Sequence, residues 1–476
     1  MILAVISIGG LAYAMLSSAV IPALPEIQHA LHTTEEGVTW LLTGYLLSAS
    51  IATSILGRLG DMYGKERLLL LTLVLLAVGT TVSALSTSLV PMVVGRVIQG
   101  AGGGIFPLAF GIVRDEFPRD KVAGSIGMLS PILGIGGGIG IVLGGLIVEH
   151  LNYHWLFWIP LIVIVFAAAL TWRFVPESPI RRPGKVNWLA AALMAGGFSC
   201  VLIAISETTV WGWGSVKTIA LLLVGLILCL LWVLVELRAT EPLIDMAMMR
   251  IRGVWTTNLV AFLLGAGMYA AFLIIPQFAQ LPKSTGFGFG ASIVTAGLYL
   301  LPAALGMSLV GPFAGTIARR FGSRFAVIGG SAITAMAFAW LAVQHAHPYD
   351  MLISTALMGI GIGLAFAALG NLIVQAVPPH QTGVASGMNT VMRTLGGALG
   401  GQIVATLITD NTSPNGLPTV TGFTLSFALE AAFLVIAVVA GLLVPTVAQN
   451  APPTGTDAAR EEVGGVSSAR VKLEVS

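Results

Sequence analysis

Fourteen stretches of about twenty mostly apolar residues constrain this chain more than any other feature, because a hydrocarbon layer leaves backbone N–H and C=O groups no partner outside a helix or closed barrel. They fall near 2–24, 38–57, 68–86, 89–113, 123–148, 155–175, 188–206, 218–235, 254–281, 290–317, 324–344, 351–377, 382–409 and 422–446. Only 9 % of the 476 residues are charged, whereas a soluble chain carries about 25 %. So few charges cannot cover the water-facing surface of a globule this large. The pattern predicts an all-α integral membrane protein with fourteen transmembrane spans. The first run opens at Ile2 with no basic segment or small-residue cleavage site before it, and reads as a retained span.

The basic residues supply a separate reading of the same count. With the N-terminus cytoplasmic, the inward connections hold Arg58, Lys65, Arg67, Arg114, Arg119, Lys121, Arg173, Arg181, Arg182, Lys185, Arg238, Arg250, Arg252, Arg319, Arg320 and Arg324. The outward connections hold only Lys217 and Lys283. Positive charge gathers on cytoplasmic loops, and one missed helix would scramble this asymmetry. Both termini are therefore expected inside, with 447–476, rich in Pro, Thr, Gly and Ser, as a disordered cytoplasmic tail.

Several function classes drop out. The net charge of +2 has no basic face behind it, so no nucleic-acid partner is expected. Cys200 and Cys229 lie in apolar runs and build neither a disulfide framework nor a metal site. No phosphate-binding loop with its strand and helix is present, so an ATP-driven pump is excluded. No His, Asp, Ser or Cys constellation within the core suggests an enzyme, and no cofactor or metal is expected. His29, His32, His150, His154, His345 and His347 fall in outer connections. They read as solvated loop residues, with pH sensing or metal capture as the alternative.

The chain also repeats itself. Gly57-Arg58-Leu59-Gly60-Asp61-Met62-Tyr63-Gly64-Lys65 after span 2 is echoed 258 residues later by Gly315-Thr316-Ile317-Ala318-Arg319-Arg320-Phe321-Gly322-Ser323 after span 10. Val20-Ile21-Pro22 is echoed by Ile274-Ile275-Pro276 at an offset of 254. Spans 7 and 8 thus become an insert (188–237) between two six-helix halves, 1–175 and 254–446. Repeated halves with a site between them are the architecture of secondary transporters.

Gly57 to Arg67 resembles the signature loop of the major facilitator superfamily. Ala23-Leu24-Pro25, Arg96-Val97-Ile98-Gln99-Gly100 and Gly383-Val384-Ala385-Ser386-Gly387-Met388-Asn389 with Arg393 match further motifs. Trp211-Gly212-Trp213 and the inserted helices are similar to the fourteen-helix drug:proton antiporter branch. The resemblance implies a proton-coupled exporter of drugs or other amphipathic compounds, monomeric in the plasma membrane and working by rocking-type alternating access. Its partners would be a small amphipathic substrate and membrane lipid; its coupling ion would be the proton. Three positions depart from the pattern: Leu16 where the branch often has Asp, Ile141 where the helix 5 motif has Pro, and Arg319 where the second loop copy would carry Asp. Export of an endogenous metabolite, lipid or siderophore, a transporter-like sensor and an uncoupled facilitator remain the alternatives.

By the same resemblance Asp61 and Lys65, with Arg67, would latch onto Asp115 at the inner end of span 4 and break when the halves rock. The alternative is a solvated loop. Charges inside spans are costly, and three stand there: Arg96, Arg393 and Glu430. At 1.5 Å per residue, Arg393 is about 16 Å from one face and Glu430 about 12 Å from the other, depths that nearly coincide in a core about 30 Å thick. They are expected to pair, or Glu430 to exchange protons; a static pair is the alternative. Arg96 and Gln99 share a face of span 4 one turn apart, as proton-handling groups or as a buried anchor. Gly136, Gly140 and Gly144, with Gly145, form a small-residue stripe expected to close the interface between the halves. Polar and adaptable residues expected to line a substrate cavity are Tyr13, Ser17, Gln99, Met128, Asn258, Tyr269, Gln277, Tyr299, Asn371, Gln375 and Asn389.

Overall fold

The computed structural model describes residues 1–129, 131–178, 187–240, 242–413 and 416–445. The predicted tail at 447–476 and the basic residues Arg181, Arg182 and Lys185 lie outside the described residues. Helices make up nearly all of the rest. The N-terminal group comprises α1 (Ile2–Ala19), α2 (Leu24–Ala30), α3 (Glu35–Tyr63), α4 (Lys65–Leu85), α5 (Leu89–Gln99), a 3₁₀ turn at Gly100–Gly104, α6 (Ile105–Glu116), α7 (Arg119–Leu129), α8 (Ile132–His150) and α9 (Trp155–Phe174). A hairpin follows: α10 (Trp188–Ser206), the short α11 (Thr208–Trp211) and α12 (Val216–Arg238). The C-terminal group is α13 (Met246–Arg250), α14 (Arg252–Gln280), α15 (Ile293–Leu298), α16 (Leu301–Phe321), α17 (Ser323–Val343), α18 (Pro348–Ala376), α19 (Thr382–Asp410) and α20 (Val420–Leu443).

Thirteen helices among the described residues are long and apolar enough to cross a membrane. The predicted tenth span divides into α15 and α16, and its apolar stretch, Val294–Val310, is shorter than the others. The fourth predicted span is interrupted by the Gly100–Gly104 turn, where four glycines within five residues weaken α-helix propagation. Polar side chains start several helices where the sequence supplies them. Thr34, Asn187, Ser215 and Ser292 each accept a hydrogen bond from the backbone three residues on.

The repeat has a backbone signature. Gly64 joins α3 to α4 at φ 117° and Gly322 joins α16 to α17 at φ 86°, in the region that disfavours residues with a Cβ. Positions 64 and 322 differ by the same 258. Buried apolar side chains form two clusters. One covers the N-terminal group and the inner face of the hairpin, and takes in Ile373, Val374, Val377, Val384 and Met388 from the ends of α18 and α19. The other covers the C-terminal group and includes Ile141 of α8. Each core therefore reaches across to the other group. In the hairpin, α10 packs on both α3 and α19, while α12 presents Leu223, Leu226, Ile227 and Leu230 outward, as a lipid-facing helix would.

Candidate functional site

The signature loop folds into a buried charge cluster at the end of the bundle where α3 and α4 meet. Lys65 and Asp61 are both fully buried, and an ammonium there needs close anionic partners. Lys65 Nζ lies 2.7 Å from Asp115 Oδ2 and 3.5 Å from Asp61 Oδ1. The Ser178 hydroxyl donates to the same Asp115 oxygen. Asp61 does not turn toward Asp115, as the sequence implied; its carboxylate crosses to the C-terminal group. The backbone N–H groups of Gly383 and Val384, in the first turn of α19, donate to Asp61 Oδ1 and Oδ2 at 3.4 and 3.2 Å. A helix N-terminus exposes unpaired N–H groups and the positive end of the macrodipole, so a carboxylate fits there.

Arg114 performs the opposite task beside it. Its guanidinium donates to Val374 O at 2.6 Å, Val377 O at 2.9 Å and Thr382 Oγ1 at 2.6 Å. Those carbonyls end α18, where unpaired acceptors and the negative end of the dipole favour a cation. Acid meets a helix start and base meets a helix end, across the seam between the two groups. The backbone approach that permits this depends on Gly57: a Cβ there would stand 2.5 Å from Gly383 O. Arg67 is not part of the cluster. Its side chain is 68 % exposed and pairs with Glu177 at 3.4 Å.

Deeper in the bundle, Arg96 is wholly buried and held by several groups. It donates to Leu41 O at 3.0 Å, Leu16 O at 3.4 Å and Gln99 Oε1 at 2.7 Å, and stacks 4.2 Å over the Tyr45 ring. Gln99 in turn donates to Ser83 Oγ at 3.1 Å. One guanidinium nitrogen, Nη2, is buried with no hydrogen-bond partner among the described residues. The Tyr13 ring lies 6.0 Å from Tyr45 and 6.3 Å from Phe106. Arg96, Arg393 and Tyr269 are all near enough to exert an electrostatic influence on Tyr13. Tyr13, Tyr45 and Arg96 of α1, α3 and α5 are buried together, and the half-buried Tyr269 of α14 and Arg393 of α19 lie within electrostatic reach of them.

The sequence profile of the Major Facilitator Superfamily matches residues 6–401. The chain belongs to the major facilitator superfamily. The superfamily's proton:xylose symporter XylE has the same fold, with a TM-score of 0.66 at 14 % identity over 94 % of this chain and 95 % of that one. The human organic anion transporter MFSD10 superposes with a TM-score of 0.65 at 16 % identity, covering 93 % and 99 % of the two chains. Among curated relatives, the tetracenomycin C resistance and export protein of Streptomyces glaucescens is 29 % identical, over 85 % of this chain and 74 % of its own. Multidrug resistance protein 3 of Bacillus subtilis is 27 % identical, over 78 % and 72 %. This superfamily member is thus a multi-pass membrane transporter and not an enzyme.

Other predicted residues divide between the transporter's interior and its surface. Arg393 lies 4.9 Å over the Phe366 ring. It does not meet Glu430, whose two oxygens are buried with no hydrogen-bond partner among the described residues. Equal depth did not imply equal azimuth. The stripe Gly136, Gly140, Gly144 packs on Ala14, Met15 and Ala19 of α1, inside its own group. The crossing to the C-terminal group uses the adjacent face, where Gly134 meets Met307 and Gly138 would bring a Cβ 3.0 Å from Ala304. Gly145 is buried on the same helix. Ile141 leaves α8 unbroken.

Asn389 donates to Asn258 Oδ1 at 3.0 Å, joining α19 to α14. Asn371 donates to Ala123 O at 3.1 Å, joining α18 to α7 across the groups. Ser17 donates to Ala14 O within its own helix. Tyr299 stands 5.8 Å from Phe289 in the α14–α15 region. Met128, Gln277 and Gln375 are exposed and lie outside the buried cluster. Sequence reasoning missed Tyr45, Phe366 and Ser178. No local pattern marks an aromatic that will lie under an arginine from another helix. Arg114 was visible only as a basic residue beside Asp115.

Proposed function

We propose that this chain is a secondary active exporter of small amphipathic compounds, coupled to protons and working by rocking of two six-helix halves. It crosses the plasma membrane fourteen times, with α15 and α16 together making the tenth span, and keeps both termini in the cytoplasm. It works as a monomer and needs no cofactor. The observation that carries the reading is the Asp61 contact to the start of α19: a buried polar clasp that must break if the two groups separate at that end. The clasp belongs to the outward-facing state, because it closes the basic and therefore cytoplasmic end.

The names of the relatives, a resistance and export protein and a multidrug resistance protein, support drug-like cargo. So does the central cluster, whose aromatic walls suit lipophilic compounds. Glu430 is assigned to proton exchange, because a buried carboxyl with no hydrogen-bond partner among the described residues is costly unless it serves a purpose.

Purified protein in proteoliposomes, challenged with dyes and antibiotics under an imposed pH gradient, tests the proposal. Substrate-driven proton flux supports it; substrate movement without proton flux makes the chain a facilitator, and binding without movement makes it a sensor. Glu430→Gln should weaken the dependence of transport on the pH gradient while leaving substrate binding intact. An unchanged pH dependence would remove Glu430 from coupling.

A further inference from the structure

We propose that Glu236 and Asp245 make the inserted hairpin a third arm of the clasp, as positioning residues that hold the start of α19 within reach of Asp61. The inference rests on the reading that this clasp governs alternating access. Glu236 sits in the last turn of α12 and is buried. Its carboxylate accepts from the backbone N–H groups of Leu243 at 2.9 Å and Ile244 at 3.2 Å, and from Trp232 Nε1 at 3.2 Å. Arg58 of α3, also buried, faces it closely enough to act on it electrostatically. A buried carboxylate adds little to stability that an apolar residue of similar volume would not. The donors instead fix a geometry: Trp232 of the same helix orients the carboxylate, and the two backbone donors fold the chain after α12 back against its own helix end.

The next residue in that fold is Asp245. Its Oδ1 accepts from Ala247 N–H at 2.8 Å and so caps α13, while Oδ2 accepts from Gln381 Nε2 at 3.2 Å. Gln381 is the N-cap residue of α19, one position before Thr382 and two before Gly383, whose N–H donates to Asp61. The start of α19 is therefore gripped from two directions, by Asp61 of α3 and by Asp245 of the segment that Glu236 organises. At the far end of α19 the Trp213 indole, at the tip of the hairpin, donates to Thr406 Oγ1 at 2.9 Å. The hairpin tip thus holds one end of α19 directly, and at the other end the last turn of α12 holds the segment that carries Asp245; α19 cannot leave Asp61 without breaking the Asp245 contact or carrying the α12–α13 segment with it.

The test uses the full chain in membrane vesicles with Cys200→Ala, Cys229→Ala and one reporter, Ser386→Cys, placed on α19 beside the clasp and buried in the closed state. A membrane-impermeant maleimide is presented on the clasp side. Glu236→Gln and Gln381→Ala should each raise the labelling rate by about tenfold, within the usual range of a coupling between sites. Glu236→Gln combined with Asp61→Asn should label no faster than Asp61→Asn alone. A control reporter at Ser354→Cys, buried in α18 away from the clasp, should not change; a rise at both reporters would mean general loosening and overturn the proposal. Unchanged labelling at Ser386→Cys in both variants would also overturn it. Gln381→Ala leaves Glu236 in place and decides alone if Glu236→Gln fails to reach the membrane. Labelling needs no substrate, so an increase in a chain that exports nothing would retain this proposal and reject the exporter.

Discussion

Two seams join the N-terminal and C-terminal groups at the clasp end, both at a close approach of two glycines, and the described contacts that cross them differ in kind. At the first, Gly57 of α3 meets Gly383 of α19. At the second, Gly315 of α16, the repeat counterpart of Gly57, would bring a Cβ 2.5 Å from the Cα of Gly124 in α7. The first carries Asp61, Lys65, Arg114 and Asp115 around two helix ends. At the second, the neutral amide of Asn371 donates to Ala123 O. Glycine contacts bring backbones together by dispersion, which is short-ranged but tolerant of sliding. Charge-assisted hydrogen bonds to helix ends are directional and roughly twice as strong as neutral ones. In the rocking proposed above the first seam serves as the switch with a defined closed state, and the Asn371 contact at the second is the weaker crossing.

Four substitutions test this contrast. Asp61→Asn should have the largest effect, lowering transport by about tenfold or more while leaving the amount of protein in the membrane unchanged, since it removes the charge at the α19 N-terminus but keeps the volume. Equal transport by this variant and the parent in vesicle efflux would mean the first seam is no switch. Arg114→Lys should cost about threefold to tenfold in the same assay, because an ammonium cannot span two carbonyls and a hydroxyl in the fork geometry of a guanidinium. Asn371→Leu removes two neutral hydrogen bonds, one across the seam to Ala123 O and one within α18 to Ala367 O, each worth about 0.5–1.5 kcal/mol. It should lower thermal stability slightly and transport by less than about threefold; a loss matching that of Asp61→Asn would make the seams equivalent. Arg67→Ala should change transport and stability least, since an exposed ion pair contributes about 0–1 kcal/mol.

Much of the charged seam was legible from sequence. Asp61, Lys65 and Asp115 stand in a recognisable loop and at a helix end, and Lys65 does pair with Asp115. The partner of Asp61 was not legible, because it is a pair of backbone amides 322 and 323 residues away, with no side-chain identity to mark them. The stripe Gly136, Gly140, Gly144 correctly marked a close helix contact but not its partner, since small residues announce a face without saying who meets it. Arg393 and Glu430 were matched by depth, a quantity that residue counting supplies. Their azimuths, which residue counting does not supply, turn Arg393 to Phe366 and leave Glu430 with no hydrogen-bond partner among the described residues. Polarity within a span likewise placed Asn258, Asn371 and Asn389 inside but missed the outward turn of Gln277 and Gln375.

Hydropathy, charge and motif alone mark the chain as a helical membrane protein of the transporter kind, with a loop motif echoed at an offset of 258 residues. Those properties are sums over many residues, or local rules of hydropathy, glycine and charge, and they survive ignorance of contacts. Helix packing in three dimensions sets the rest: Asp61 caps α19, Arg114 caps α18, Arg96 rests on Tyr45, and the hairpin tip and the segment after α12 reach opposite ends of α19. Such contacts depend on the rotation and spacing of helices hundreds of residues apart. A shift of one or two ångströms there separates a hydrogen bond from none.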